Sequence, residues 1–349
     1  MNEPYRVGII GCGRPWKSEG STGFGMARAH ARGLLASGRV RLVGLADPNR
    51  DNALAFQSDL AGERLYADHR EMLSAEKPDI VCISTWTRLH APMVVDCAEA
   101  KVKAVHCEKP MAPTFGECRK MVLACEESGT LLTINHQRRF LNRFREAKRL
   151  VTDGVIGDLE RVEGLCPNLY DWGTHWFDMM NFLNGDEPVE WVMGQLEKRG
   201  GANVFDVEVE GQGLSQFRYK NGVQGLLTTG TATGWECWIK LTGTQGRMIV
   251  SVSHEPGLRV WGRGYSDWQV VDVPNEGSDI DKPVTLAMLD LLDALEKGRE
   301  PELSGRRALC ASELIFATYE SSRRRGRVDL PLTSDDNAYH ALLSGGALD

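Results

Sequence analysis

No stretch of this 349-residue sequence approaches the roughly 18 consecutive apolar residues of a membrane-spanning helix. The N-terminal Met1-Asn2-Glu3-Pro4-Tyr5-Arg6 carries no signal-peptide pattern, so no membrane partner is expected. None of the nine cysteines (12, 82, 97, 107, 118, 125, 166, 237 and 310) belongs to a C-x-x-C pair, which removes a zinc ribbon. Their odd number and scatter argue against a disulfide framework, and buried thiols in a reducing cytoplasm are expected. His136 and His254 have no partners at ligand spacing, so no metal is expected. Positive charge is also short. Lys and Arg total 41 against 48 Asp and Glu, a net charge of −7, which gives no general attraction to nucleic acid. The one compact basic cluster, Arg323-Arg324-Arg325, reads as the end of a helix.

What is present is ordinary globular composition, 42% hydrophobic and 26% charged, with no repeat or low-complexity tract. At roughly 100–200 residues per domain the length suggests two domains. Short apolar runs alternate with amphipathic segments through the first third, the rhythm of βαβ units around a parallel sheet. Strands are expected at 6–10, 40–46, 79–84, 104–107 and 130–134, with helices at 24–37, 52–60, 89–100 and 115–128. After Asn135 the rhythm changes. A helix at 141–152 leads to a strand at 159–166, another helix starts just after Asp171, and 190–273 alternates in β fashion. Turns are expected at Asn221-Gly222 and at 243–246, the first a strong hairpin signal. Helices at 279–297 and 305–324 close the chain. The expected fold is therefore α/β: a doubly wound parallel-sheet domain over 1–134, then an α+β domain over 135–349 with a large, mostly antiparallel open sheet.

The first strand runs into Gly11-Cys12-Gly13, the start of a dinucleotide-binding G-x-G-x-x-G, but Trp16 stands where the third glycine belongs. An acidic residue about 20 positions after the fingerprint, at the end of the second strand, usually holds the adenosine ribose. Asp47 occupies that place, and counting back reaches Gly25-Met26-Ala27, either end of which fills the third-glycine role at the start of the first helix. Its amide-rich end can face a pyrophosphate. Residues 14–23 are then an insertion, expected to fold over the cofactor, with Lys17, Ser18 and Ser21 as phosphate or ribose contacts and Trp16 near the substrate. Asp47 favours NAD over NADP, since its charge repels a 2′-phosphate, although Arg50 lies nearby.

Three further motifs resemble those of the Gfo/Idh/MocA family, named for glucose–fructose oxidoreductase and inositol dehydrogenase. Glu108-Lys109-Pro110 is similar to its E-K-P, and Asp171-Trp172-Gly173-Thr174-His175-Trp176-Phe177-Asp178 to its D-x-G-x-H-x-x-D. Ser84-Thr85-Trp86-Thr87-Arg88-Leu89-His90 is similar to a turn that usually reads T-P-x-x-x-H, with Trp86 replacing the proline. The closing segment 326–332 also resembles the family's ending. The motifs stand in order along nearly the whole chain.

Oxidising an alcohol needs a base for the hydroxyl proton, and imidazole suits that role near neutral pH. Asp171 and His175 are four apart, so on a helix they share a face, and Asp171 can orient the ring and the substrate. Lys109 can hydrogen-bond the reacting oxygen. The resemblance assigns catalysis to Lys109 and His175 and implies a cis peptide before Pro110. Ser84, Thr85 and Trp86 follow a strand's carboxyl end, where cofactors bind in such sheets, and His90 closes that motif. Glu108 is a candidate for the nicotinamide ribose. Arg138 or Arg139 either contacts substrate or forms a helix-flanking salt bridge. Trp172 and Trp176 flank His175 and offer faces for a sugar ring, or simply pack.

The resulting expectation is a cytoplasmic NAD-dependent oxidoreductase acting on a hydroxyl of a sugar, polyol or cyclitol. Two alternatives stand beside it: a redox-cycling enzyme that keeps its NAD and cleaves or exchanges glycosides, and a nucleotide-sensing regulator without turnover. The presence of Lys109, Asp171 and His175 together counts against the regulator. The resemblance implies that the open sheet pairs between subunits in a homodimer or homotetramer.

Overall fold

A computed structural model of the chain describes residues 3–15, 17–19, 21, 23–230, 237–252, 256–273 and 281–346. It divides into two compact units. The first comprises Met1–Ala112, Glu117–Gln137 and Ser278–Arg306, and the second Pro113–Gly116, Arg138–Gly277 and Arg307–Asp349.

In the first unit, strands and helices alternate: β1 (Tyr5–Ile10), α1 (Met26–Leu35), β2 (Val40–Ala46), α2 (Arg50–Leu60), β3 (Arg64–Tyr66), α3 (His69–Glu76), β4 (Ile80–Ile83), α4 (His90–Glu99), β5 (Ala104–Cys107), α5 (Phe115–Ser128) and β6 (Leu131–Ile134). The six strands form one parallel sheet in the order β3-β2-β1-β4-β5-β6. β4 and β5 are buried at every position, as apolar runs without alternation must be when helices cover both faces. The order reverses between β1 and β4, the switch point at whose carboxyl edge such sheets bind ligands. The expected strands at 40–46 and 104–107 have those bounds; β3 and α3 are not expected from the sequence.

The chain continues through α6 (Asn142–Thr152), β7 (Leu159–Cys166), α7 (Gly173–Leu183), β8 (Val189–Glu197), β9 (Ala202–Val204), β10 (Val207–Val209), β11 (Gln212–Tyr219), β12 (Gln224–Thr229), β13 (Trp238–Gly243), β14 (Gly246–Ser251), β15 (Leu258–Trp261), β16 (Gln269–Val270), α8 (Asp281–Lys297), α9 (Gly305–Arg324), β17 (Val328–Asp329) and α10 (Ala338–Ser344). Nine of these strands form the large sheet of the second unit, ordered β16-β15-β14-β13-β7-β12-β11-β8-β17. All its pairings are antiparallel except β7 with β12. Strict alternation along β11 turns Ser215, Phe217 and Tyr219 inward and leaves Gln212, Leu214, Gln216 and Arg218 outside.

Helix α8 lies far downstream of residue 134, yet it belongs to the first unit, where it packs on α1. Gly33 allows this approach: a Cβ there would sit 2.9 Å from the Met288 side chain. Arg39 reinforces it with ion pairs to Asp293 and Glu296. Among the described residues, no helix is long and apolar enough to cross a membrane.

Candidate functional site

The glycine turn after β1 is held from two sides. Gly11 and Gly13 adopt φ of 82° and 52°, the left-handed region that costs a glycine little. A Cβ on Gly11 would lie 2.5 Å from the Ser84 carbonyl oxygen, whereas one on Gly13 would meet nothing within 4 Å. The turn is thus tight against β4 and open on its other side. Asp47 Oδ2 accepts from the amides of Cys12 (3.0 Å) and Gly13 (3.2 Å), while Oδ1 accepts from Asn49 (2.9 Å). Arg28, buried on α1, supplies the opposite half: its Nη1 donates to the carbonyls of Cys12 (3.0 Å) and Gly13 (3.1 Å). Its Nε binds Asp59, and its guanidinium lies over the Phe56 ring.

Helix α1 begins at Met26, just after Gly25, whose φ is 68°, with no side-chain cap and no acidic residue in its first turn. The first-turn amides, Met26 and Ala27 among them, present the positive end of the helix dipole, suited to a phosphate anion. In the insertion, Ser18 donates its hydroxyl to the Pro15 carbonyl (2.6 Å) and Ser21 to that of Gly23 (2.9 Å), so these hydrogens are spent within the loop. Lys17 is exposed at φ 62°. Arg14 docks the loop's near end on Asn52 of α2. Trp16 and Gly20 lie outside the described residues. Arg50 is exposed at the start of α2.

At the carboxyl edge of the sheet, a buried polar cluster surrounds Glu108. Its Oε1 accepts from Asn135 Nδ2 (2.7 Å) and lies 2.9 Å from His30 Nε2, and its Oε2 accepts from the Lys109 amide (3.2 Å). Burial works to raise the Glu108 carboxyl, but the contacts from His30, Lys109 and Asn135 outweigh it and hold the group below the usual carboxylate range. His30 Nδ1 lies 3.3 Å from Ser84 Oγ, and its ring meets that of His106 edge-on at 4.5 Å. His106 Nδ1 pairs with Thr133 Oγ1 (2.9 Å), and burial, aided by His30, pushes the His106 pKa well down. His90 lies between two backbone carbonyls, Nδ1 2.9 Å from that of Pro110 and Nε2 3.1 Å from that of Thr85, and burial lowers its pKa too, so the neutral ring donates to one of them. It ties the 84–86 turn to the loop after β5. Thr85 Oγ1 contacts the Met93 sulfur, and Trp86 is exposed. Lys109 is half-buried, and its peptide to Pro110 is cis, as the resemblance implies.

In the second unit, β7 hands over to α7 through a turn organised by Asn168. Its side-chain oxygen accepts from the amides of Asp171 (2.7 Å) and Trp172 (3.1 Å), and its carbonyl accepts from Gly173 (2.8 Å). The helix starts at Gly173. Asp171 therefore stands in the turn before the helix, which corrects the expectation that it and His175 share a helix face. The amides of 171 and 172 donate to the Asn168 side chain, which closes a turn ahead of the helix. Leu169 N donates to Glu210 Oε1, and Glu210 Oε2 accepts from Tyr319 (2.7 Å). Burial raises the Glu210 pKa. His175 is buried in the first turn of α7, a helix with no exposed position.

The two neighbouring arginines divide the alternatives that the sequence leaves open. Arg139 is the salt bridge, binding Asp178 through Nε (2.9 Å) and Nη2 (2.8 Å), and Asp186 through Nη2 (2.7 Å). Arg138 instead lies with its guanidinium carbon 4.9 Å from the Trp172 ring and 4.7 Å from that of Trp176. Trp176 Nε1 donates to the Trp238 carbonyl (2.9 Å), fixing one of these rings.

Sequence reasoning misses Arg28, His30, Asn135 and Asn168 as parts of this machinery. For His30 a signal exists, because it falls in phase with Ala27, Ala31 and Leu34 on the buried stripe of α1. Among the described residues, no group of three or more His, Cys, Asp or Glu side chains can hold a metal.

Residues 5–136 match the Gfo/Idh/MocA family model described as an oxidoreductase family with an NAD-binding Rossmann fold, and residues 167–249 match the family's C-terminal domain. The chain is 26% identical over 268 residues to myo-inositol 2-dehydrogenase of Thermotoga maritima, covering 70% of this chain and 74% of that protein. It is 26% identical over 358 residues to D-apiose dehydrogenase of Paraburkholderia graminis, covering 93% and 90%. A solved structure of levoglucosan dehydrogenase with NADH and levoglucosan superposes with a TM-score of 0.80 at 21% identity, over 95% of this chain and 100% of that one.

Proposed function

The chain belongs to the Gfo/Idh/MocA oxidoreductase family, and from that premise we propose that it is an NAD-dependent dehydrogenase of a hydroxyl on a sugar, polyol or cyclitol. The observation that carries this is the glycine turn, whose backbone is clamped by Asp47 and Arg28 while Gly13 keeps open space on its outer side. That cradle and the uncapped start of α1 fit a dinucleotide pyrophosphate. Gly11, Gly13, Met26 and Ala27 would hold the phosphates, Asp47 the adenosine ribose, and Ser84, Thr85 and Trp86 the nicotinamide side. Bound NAD supplies the hydride acceptor. The Asp47 carboxylate would repel a 2′-phosphate, so NAD binds in preference to NADP.

The chain's own residues supply the proton chemistry. His175 takes the hydroxyl proton, Asp171 orients substrate and ring, and Lys109 donates to the reacting oxygen as negative charge develops on it. Their sequence context supports these roles: Lys109 follows Glu108 at the carboxyl edge of the parallel sheet, and Asp171 is fixed by the Asn168 turn. The proposal extends to a cytoplasmic homodimer or homotetramer. Met193, Leu214 and Trp261 stand exposed on one face of the nine-stranded sheet, a surface suited to a second copy.

The test follows absorbance of reduced nicotinamide while sugars, polyols and cyclitols are added with free NAD. Net NADH with one of them supports the dehydrogenase. Substrate turnover without net NADH refutes it in favour of redox cycling, and no turnover with any compound also counts against it.

A further inference from the structure

We infer that Arg138 is the receptor for a carboxylate on the substrate, so that the compound oxidised is a sugar acid rather than a neutral polyol. The inference rests on the dehydrogenase reading above and narrows its substrate class. It starts from a contrast between adjacent residues in the turn Gln137–Phe140. Arg139 satisfies its guanidinium on two carboxylates. Arg138 makes no hydrogen bond or ion pair with any described residue, and its Nη1 is shut off from solvent with no acceptor.

A guanidinium carries five N–H donors in a planar fork and stays charged in proteins. Arg138 is half-buried, and shutting its Nη1 off from water without an acceptor is costly, which leaves a demand for one. The Trp172 and Trp176 faces answer part of the charge through cation–π contact but accept none of the in-plane N–H groups. The ionisable side chains acting on Arg138 are Cys237, Cys166 and Asp171. Burial keeps both thiols protonated, pushing Cys237 up to about 11 and Cys166 well above the usual thiol range, so neither contributes an anion. Arg138 itself is pushed down to about 10 by burial, which leaves it cationic at neutral pH.

A carboxylate fits this demand best. Its two oxygens match the fork in a bidentate pair, and its single charge matches the single cation. A phosphate dianion would face Asp171 with one cation only, and a neutral hydroxyl would accept a hydrogen bond but leave the buried charge unanswered. Trp172, which is half-buried beside the guanidinium, can take the C–H face of the attached sugar ring, while the fully buried Trp176 only packs. Arg138 thus decides specificity by charge, with the ring positioned beside it.

Matched probes differing only at C6 test this: D-glucuronate against D-glucose, and D-galacturonate against D-galactose. Binding to the NADH-loaded protein is measured by calorimetry, and NAD reduction separately by absorbance. The wild type should bind at least one acid about 10–100-fold more tightly than its neutral partner, the range expected of a charge-assisted bond. Arg138→Gln should weaken acid binding far more than neutral-sugar binding, so that the preference is lost while NADH binding holds, and Arg138→Lys should keep part of it. Thermal melts confirm that each variant is folded. Equal binding of acid and neutral sugar by the wild type would overturn the inference. So would an equal loss of both in Arg138→Gln, which marks a packing role, or a fall in NADH affinity, which assigns the arginine to the cofactor. Acid binding that depends on Arg138 without NAD reduction by any probe would refute the dehydrogenase reading and leave the carboxylate site standing.

Discussion

Replacing His106 with glutamine should make the first unit less sensitive to acid. His106 is shut away from solvent between His30 and Thr133, and its pKa is held well below 6.5 by burial first and by His30 second. The unfolded chain therefore binds a proton at His106 below about pH 6.5, while the folded chain does not, and stability must fall as pH drops. Each such group removes about 1.4 kcal/mol per pH unit once well below its unfolded pKa. Between about pH 7.5 and 5.0 the loss from His106 integrates to about 2 kcal/mol. His90, also lowered by burial, acts in the same direction and adds no more than about 2 kcal/mol. Glu108, held low, loses its stabilising contribution only in more acidic solution, where its unfolded counterpart protonates. Hydrogen exchange of the β5 and β6 amides at both pH values reads the stability of this unit separately. Wild type should lose about 2–4 kcal/mol over that range, and His106→Gln about 2 kcal/mol less. A variant that loses as much as wild type would show that His106 is protonated in the folded state, and the argument would fail.

Lys109→Ala and His175→Ala should each retain NAD binding but lower turnover about 10²–10⁴-fold on the identified substrate, the usual contribution of a positioned acid or base. Near-full activity in both folded variants would remove them from the catalytic site. Arg28→Met leaves the carbonyls of Cys12 and Gly13 without their donor, so it should destabilise the first unit by about 1–3 kcal/mol and weaken NAD binding. Unchanged NAD affinity in calorimetry would mean that the turn holds its shape without the clamp. Replacing residues 14–24 with a two-residue linker should speed NAD dissociation more than association, because closed contacts must break before release. Unchanged dissociation in stopped flow would leave the insertion as a surface loop.

Local patterning alone makes much of this molecule legible. The segments at 40–46 and 104–107 are strands with those bounds because a largely apolar stretch is buried without alternation, from Leu42 to Ala46 in the first and throughout the second. The Asn221-Gly222 hairpin and the alternation of β11 follow from turn chemistry and a period of two. Strand β3 is not legible, because three residues, none of them fully buried, carry too little pattern to register. Four-residue spacing suggests one helix face for Asp171 and His175; the competing signal is Asn168, whose side chain closes a turn over the amides of 171 and 172 before the helix starts.

The sequence by itself determined the layered α/β plan, the glycine turn and the E-K-P and D-x-G-x-H-x-x-D motifs, all properties of residues close together in the chain. Only the tertiary structure decided how the long polar side chains are used. Arg28 reaches back 16 residues to the glycine turn, Asp47 meets it from 35 residues away, and Arg139 finds Asp178 across 39, leaving Arg138 to the tryptophans. Periodicity reports which face of an element is buried. It carries no information on which distant donor or acceptor will satisfy a buried charge, because that depends on how the elements pack.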